Sequence, residues 1–170
     1  MPLVPFASLP DDARVWVFAA SDALSGDRAD ALLESVDDYL GQWKAHEEPL
    51  TCARDWRDQR FLAIGVDQST AGASGCSIDA LFRILQRLQS SLGTALVGGG
   101  RVFYRDAAGL VRCVDRAQFA RMAADGSVNP NTSAFDLSVT TAADYRQAFE
   151  RPVRASWHRE LLPQGANAAT

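Results

Sequence analysis

The loop Asp67–Asp79, with the sequence DQSTAGASGCSID, holds the densest run of residues that could do chemistry. It follows the apolar run RFLAIGV and precedes an amphipathic helical pattern that begins near Ser77. The first turn of a helix has unpaired N–H groups and a partial positive charge. Glycines such as Gly72 and Gly75 let the backbone approach a bound group closely. Such a place binds anions readily, so the loop is a candidate site for a small anionic ligand.

Cys76 lies at the start of that helix, where the local field favours a thiolate. It is the candidate catalytic nucleophile, and whether the protein is an enzyme stays open. The alternative is architectural: a serine caps the helix, the glycines form the turn, and Cys76 is a small buried residue. The candidate binding residues of the loop and helix are Asp67, Ser69, Gly72, Ser74, Gly75, Ser77, Asp79 and Arg83.

Three side chains elsewhere in the sequence are candidate auxiliaries. Two of them are the histidines of the chain, His46 and His158, and His46 is expected at the end of the first helix. Either histidine would form a Cys–His pair if the fold brought it to Cys76. Arg57 belongs to an arginine-rich hairpin that would hold an anion or form a solvated strand face. The cysteines and histidines have no metal-ligand spacing, so we predict no metal and no cofactor.

Charge and composition exclude several classes of function. The 170 residues carry a net charge of -4 and a pI of about 5.1, so no nucleic-acid partner is expected. Apolar stretches are too short for a membrane span. Three well-separated cysteines and the absence of a signal-peptide pattern predict a cytoplasmic protein with free thiols. Lys44 is the only lysine, so the chain is not a P-loop ATPase.

Hydrophobic periodicity predicts an α+β fold with a ferredoxin-like β-α-β-β-α-β core over residues 14–105. The first strand is Arg14–Ala20, and an amphipathic helix capped by Ser25 follows it. A hairpin turning at Asp58-Gln59 comes next, and then a helix from Ser77 to Leu92 with Gly93 as its C-cap.

The remaining chain is predicted to form a small appendage and a tail. A hairpin, a short helix and a returning strand are expected over residues 106–160, and residues 161–170 are expected to be disordered. The sequence contains no internal repeat and no clear linker. We therefore expect a single domain over residues 1–170.

Several of these motifs resemble a family of small bacterial proteins whose members are often labelled "ABC transporter ATPase". The resemblance covers about residues 14–160, and AGASGCSID is its most specific part. It also includes RVWVF, DWRDQRF, GVDQSTAGASGCSIDALFR and RASWH, together with Trp43 and His46. The family has no established activity, and the sequence lacks the Walker A lysine that its label requires.

A second, weaker similarity covers residues 102–135 and points to GYF-type modules. These modules consist of a hairpin, a short helix, a glycine turn and a returning strand, and they bind proline-rich peptides through exposed aromatic residues. The resemblance makes Phe103, Tyr104 and Phe135 the candidate contacts.

The sequence thus predicts a non-enzymatic interaction or regulatory protein with an unidentified protein partner. The alternative is a binding protein for a small anionic ligand, or a cysteine-dependent enzyme, with its site at the loop Asp67–Asp79.

Overall fold

The computed structural model describes residues 3–69 and 72–165. These residues form a mixed α+β structure with four α-helices and three sheets. The chain divides into two compact units. Unit 1 comprises Met1–Gly98 and Leu137–Arg146, and unit 2 comprises Gly99–Asp136 and Gln147–Thr170.

Unit 1 is built on a three-stranded antiparallel sheet. Its strands are β1 (Arg14–Ala19), β4 (Cys52–Arg57) and β5 (Phe61–Val66), in the order β1-β5-β4. Strand β5 lies in the centre, and all six of its residues are buried. The predicted turn at Asp58-Gln59 joins β4 to β5 with positive φ at both residues, the geometry that a two-residue hairpin loop favours.

Two helices, α1 (Asp27–Gly41) and α2 (Gly75–Leu92), cover one face of this sheet. Their apolar stripes share one core with alternate strand residues such as Phe18, Leu62 and Ile64. Helix α1 begins after Gly26 rather than at the predicted cap Ser25, and Gly93 ends α2 in the left-handed conformation as predicted.

The opposite face of the sheet is covered by the N-terminal segment, which contains the 3₁₀ turn Phe6–Ser8. Gly65 of β5 is essential to this packing because a Cβ atom there would come closer to Leu9 than van der Waals contact permits. Tyr145 also belongs to this side of unit 1: its ring contacts Phe6 and its hydroxyl donates to Asp55 at 2.8 Å.

The predicted ferredoxin-like core is not confirmed as a whole. Its first three strands have the order β1-β5-β4, but the fourth predicted strand, β6 (Arg101–Arg105), pairs in the sheet of unit 2. The other edge of β1 is met by residues 140–141, through the amide of Val15 donating to the carbonyl of Thr140 and a bridge from Arg14 to Thr141. A later part of the chain therefore occupies the edge at which the fourth strand was expected.

Unit 2 contains a four-stranded sheet in the order β7-β6-β8-β9. Strand β6 pairs with β7 (Val111–Asp115), the helix α3 (Arg116–Asp125) follows directly, and β8 (Ser133–Phe135) returns beside β6. Val102, Tyr104 and Phe119 form the centre of its core. The predicted order of hairpin, helix and returning strand is present.

The remaining elements of the described chain are short. They are β2 (Lys44–Ala45), β3 (Glu48–Pro49), α4 (Ala142–Ala148), β9 (Glu150–Pro152) and two 3₁₀ turns, Val153–Ala155 and Trp157–Leu161.

The C-terminal segment is ordered further than the sequence predicted. Residue 161 closes a 3₁₀ turn and Leu162 is buried in the core of unit 2, so the predicted tail is wrong at its first two residues. Residues 166–170 of that tail lie outside the described residues. Across the described ranges, none of the helices has the length and apolar character needed to span a membrane.

The close approach to Gly65 yields a stability prediction. Gly65→Ala is expected to lower the free energy of unfolding by about 1–3 kcal/mol, because the added methyl group overpacks the contact with Leu9. Gly41→Ala is the matched control: nothing lies within 4 Å of its Cβ position at the end of α1, and a small gain in stability is expected. Urea unfolding of both variants measures the difference, and equal stabilities would contradict the packing described for Gly65.

Candidate functional site

The loop that precedes α2 is partly organised by its own side chains. The Asp67 carboxylate accepts a hydrogen bond from the amide of Ser69 at 2.8 Å. That bond, with the Ser69 side chain, lowers the pKa of Asp67. Residues 70 and 71 lie outside the described residues. Gly72 and Gly75 do not have positive φ, and no group lies closer than 3.7 Å to a Cβ built at Gly72.

The start of α2 is capped by two serines. The helix begins at Gly75, two residues before the predicted start. The Ser74 hydroxyl accepts from the amide of Ser77 at 3.3 Å, and the Ser77 hydroxyl donates back to the Ser74 carbonyl at 2.8 Å. These bonds satisfy one of the free N–H groups of the first turn. The capping role that the architectural alternative gave to a serine is therefore confirmed for Ser74.

Cys76 is exposed, as the second residue of α2. The architectural alternative made it a small buried residue, and that part of the alternative is wrong. Cys52 provides the contrast: it is fully buried, its thiol contacts the carbonyl of Leu40 at 3.5 Å, and burial raises its pKa to about 11. Among the described residues, none forms a hydrogen bond with the Cys76 thiol.

Asp79 and Arg83 lie on the exposed side of α2. The Arg83 Nε donates to the main-chain carbonyl of Asp79 at 3.3 Å, so its guanidinium lies along the helix one to two turns beyond Cys76. Tyr39 makes a contact that the sequence did not predict, because an aromatic residue at helical spacing is typical of the apolar stripe of a helix. Its hydroxyl donates to the carbonyl of Ser77 at 2.6 Å and thereby ties α1 to the first turn of α2.

His46 does not end the first helix. Helix α1 stops at Gly41, and His46 lies at the exposed tip of the small hairpin formed by β2 and β3. His46 and Glu47 both have positive φ there, 52° and 72°, as a tight two-residue turn requires. The prediction was wrong because residues 42–45 leave the helix early and turn into β2.

His158 belongs to unit 2 and is only 1% exposed. Its Nδ1 lies 2.7 Å from the Ser156 hydroxyl, and its ring stacks on Trp157 with centroids 4.0 Å apart. Burial lowers the pKa of His158 to about 4. The imidazole is therefore enclosed within its own unit, in contrast to the exposed Cys76 of unit 1.

The predicted arginine surface consists of groups with partners inside unit 1. Arg57 forms an ion pair with Asp58 at 3.1 Å, and Arg54 forms a bidentate pair with Asp37 at 2.5 and 2.7 Å. Arg60 donates to the carbonyl of Ser21 at 2.5 Å. Over residues 3–69 and 72–165, no three His, Cys, Asp or Glu side chains are grouped so that they could hold a metal ion.

The aromatic contacts implied by the GYF resemblance are buried rather than exposed. Phe103, Tyr104 and Phe135 are 1%, 7% and 1% exposed, because consecutive residues of β6 and of β8 are buried and both faces of these strands are covered. The expectation that these rings form an exposed aromatic surface is therefore wrong.

Unit 2 nevertheless contains a cleft of about 500 Å³ that the sequence analysis did not find. Tyr104 and Met122 lie at its apolar side, and the hairpin residues Arg105 and Asp106 line another side. The turn that leaves α3 completes the lining with side-chain hydroxyl and amide groups, from Ser127, Asn129, Asn131, Thr132 and Ser133. The only sequence signal for this cleft was the turn Asn129-Pro130-Asn131.

Cysteine accessibility yields a reactivity prediction. Cys76 is expected to react with iodoacetamide in the folded protein near pH 8, whereas Cys52 stays unmodified until the protein unfolds, since its thiol is buried and its pKa is raised. Peptide mass spectrometry resolves the rate at each cysteine, and Cys52 in urea provides the unfolded reference. Equal rates at the two sites in the folded protein would contradict the burial of Cys52.

His158 yields a pH-dependent stability prediction. Its folded pKa of about 4 lies below the ordinary value of 6.5, so the fold favours the neutral imidazole. The contribution of the neutral His158 to the free energy of unfolding is therefore fully present above pH 6.5 and is lost as the pH falls toward 4. When the pH is lowered from 7 to 5, the free energy of unfolding of the parent protein is expected to fall. The fall in the His158→Gln variant is expected to be smaller by about 1–2 kcal/mol, because this variant has no imidazole to protonate at position 158. Urea titrations measure this, with His46→Gln as control; parallel losses in all three proteins would contradict the prediction.

Comparison with known proteins does not assign the chain to a family. No family model matches it, and no curated protein or solved structure matches it either. The two candidate sites, the first turn of α2 and the cleft of unit 2, are therefore interpreted from their own residues.

Proposed function

We propose that this protein is a non-enzymatic interaction protein that binds a peptide segment of its partner in the cleft of unit 2. The observation that supports this most directly is the Tyr104 hydroxyl. The Tyr104 side chain is nearly buried and lines the cleft, and among the described residues its hydroxyl contacts only the Met122 sulfur, at 3.9 Å. A thioether is a weak acceptor, so the hydroxyl retains most of its capacity to donate to a ligand.

Two carboxamides that line the cleft provide further donors. The Asn129 side-chain oxygen accepts from the amide of Asn131 at 2.8 Å, and the Asn131 side-chain oxygen accepts from Arg154. Their NH₂ groups have no acceptor among the described residues. A ligand that presents two or three carbonyl oxygens would satisfy these donors, and a peptide main chain is such a ligand.

The charged groups of the cleft favour a neutral ligand. The two charged residues that line the cleft are Arg105 and Asp106. Arg105 pairs with Glu150, and Asp106 pairs with Arg112 at 2.6 Å, so the charge of each lining residue is balanced by its partner. The hydrogen bonds from Arg112 and from the amide of Leu110 also lower the pKa of Asp106. A charged ligand would have to compete with these pairs, whereas main-chain carbonyls would not.

The resemblance to GYF-type modules supports peptide binding by this unit, although the contacts proposed here differ from the aromatic rings that the resemblance implied. The order β1-β5-β4 supports the proposal that unit 1 is an incomplete ferredoxin-like core. We also propose that the protein is bacterial and cytoplasmic, on the strength of its three free cysteines and its likeness to the small bacterial family. It is not proposed to be a P-loop ATPase, because Lys44 lies in the small strand β2.

A second candidate function is supported by the exposure of Cys76. A thiol in the first turn of α2, where a helix leaves main-chain N–H groups unpaired, would serve a cysteine-dependent enzyme or help to bind a small anionic ligand. A histidine base is the missing component, since His158 is enclosed in unit 2 and His46 lies at a hairpin tip. The interaction function is preferred for this reason.

The peptide cleft is tested by selecting binders from a random peptide library on the immobilised full chain. Tyr104→Phe removes only the hydroxyl, and the selected peptides are expected to bind the variant about threefold to tenfold more weakly, the effect of one lost hydrogen bond. Tyr39→Phe is the matched control, because it removes a hydroxyl that ties α1 to α2 in unit 1. If Tyr39→Phe weakened peptide binding and Tyr104→Phe did not, the result would contradict the proposal and would place the binding site near the loop that precedes α2.

A further inference from the structure

We propose that two copies of this chain pair through the outer faces of α1 and α2, with the acidic face of α1 in one copy against the basic face of α2 in the other. The two helices are antiparallel neighbours. Tyr39, near the end of α1, bonds the carbonyl of Ser77 at the start of α2. Arg28, near the start of α1, bonds the carbonyl of Leu92 at the end of α2, at 2.6 Å. Their apolar sides share one core, so their polar sides form one outer surface.

The outer face of α1 carries two carboxylates whose charge is not balanced by an ion pair with a described residue. Glu34 and Asp38 are exposed, lie four residues apart and have no cationic partner among the described residues. Asp37, on the flank of the helix, is the one that pairs with Arg54. Like charges at this spacing destabilise their own helix slightly. Asp30 extends the acidic face by one further turn, where it also complements the helix N-terminus.

The outer face of α2 carries the opposite pair. Arg83 and Arg87 are exposed and also four residues apart, and neither forms an ion pair with a described carboxylate. They flank Ile84, which is half-buried and lies outside the apolar core of unit 1. Together these groups line a hollow of about 750 Å³, whose described lining is Ala80, Arg83, Ile84, Gln86, Arg87 and Ser90.

A two-fold axis parallel to the helices would bring the two pairs together. It places α1 of one copy antiparallel to α2 of the other, and each contact occurs twice. In the register that sets Glu34 against Arg87, Asp38 meets Arg83. One turn further along, Asp79 faces the neutral Gln42, so the register adds no like-charge contact at that turn. Both repulsive pairs are thereby neutralised by a second copy of the same chain.

Sedimentation velocity of the full chain tests this pairing. The protein is expected to dimerise at about 0.05 M salt and to dissociate at about 0.5 M, because contacts between exposed charges are screened. A parent protein that is monomeric at low salt up to millimolar concentration overturns the proposal, as does a dimer that salt does not affect. Tyr104→Phe separates this interface from the cleft of unit 2, since that variant is expected to dimerise like the parent.

Charge reversal identifies the surface. Two double variants are used. The first combines Glu34→Arg with Asp38→Arg, and the second combines Arg83→Glu with Arg87→Glu. Each is expected to self-associate about tenfold or more weakly than the parent, because attraction becomes repulsion at every contact between the copies. An equal mixture of the two is expected to form a heterodimer, because one presents only basic faces and the other only acidic faces. Circular dichroism confirms that both variants fold. Unchanged self-association of either variant, or a mixture that stays monomeric, overturns the proposal.

Discussion

The burial of β5 on both faces and both edges is the constraint on which unit 1 depends. All six residues of Phe61–Val66 are buried, with β1 and β4 hydrogen-bonded to its two edges. Alternate side chains then require two different covers: α1 and α2 on the side of Leu62 and Ile64, and the N-terminal segment on the side of Gly65. Helix α2 packs on the same core as β5, so this core also positions the first turn of α2.

Internal pairing decides which of the chemistry-bearing residues remain available to a ligand. The arginines of the β4–β5 hairpin bond to carboxylates and carbonyls of unit 1, and His158 bonds to Ser156 within unit 2. Such bonds stabilise the fold and remove these groups from catalysis, because an already satisfied polar group gains little from a ligand. Cys76 and the hydroxyl of Tyr104 are not satisfied in this way by the described residues, and they define the two candidate sites.

The sequence predicted local structure well where one pattern dominated. The apolar run of β5, the hairpin turn at Asp58-Gln59 and the glycine cap of α2 follow from burial and backbone geometry within a few residues. It failed where partners are distant in the chain. Nothing local to β6 shows that it pairs with β8 instead of β1, and residues 140–141 reach the edge of β1 from much later in the sequence. The cleft was missed for the same reason, since its lining joins a strand, a helix and a turn that are separate in the sequence.

The most direct test of the proposed interaction function is a map of where a selected peptide binds. Amide ¹H–¹⁵N spectra of the full chain are recorded as a peptide from the random library is added. The account predicts that the largest shifts occur at Tyr104, Met122 and the turn 127–133, with little change at Gly75, Cys76 and Ser77. Shifts concentrated at the first turn of α2, with those of the cleft unchanged, would contradict the account and make the Cys76 loop the functional site.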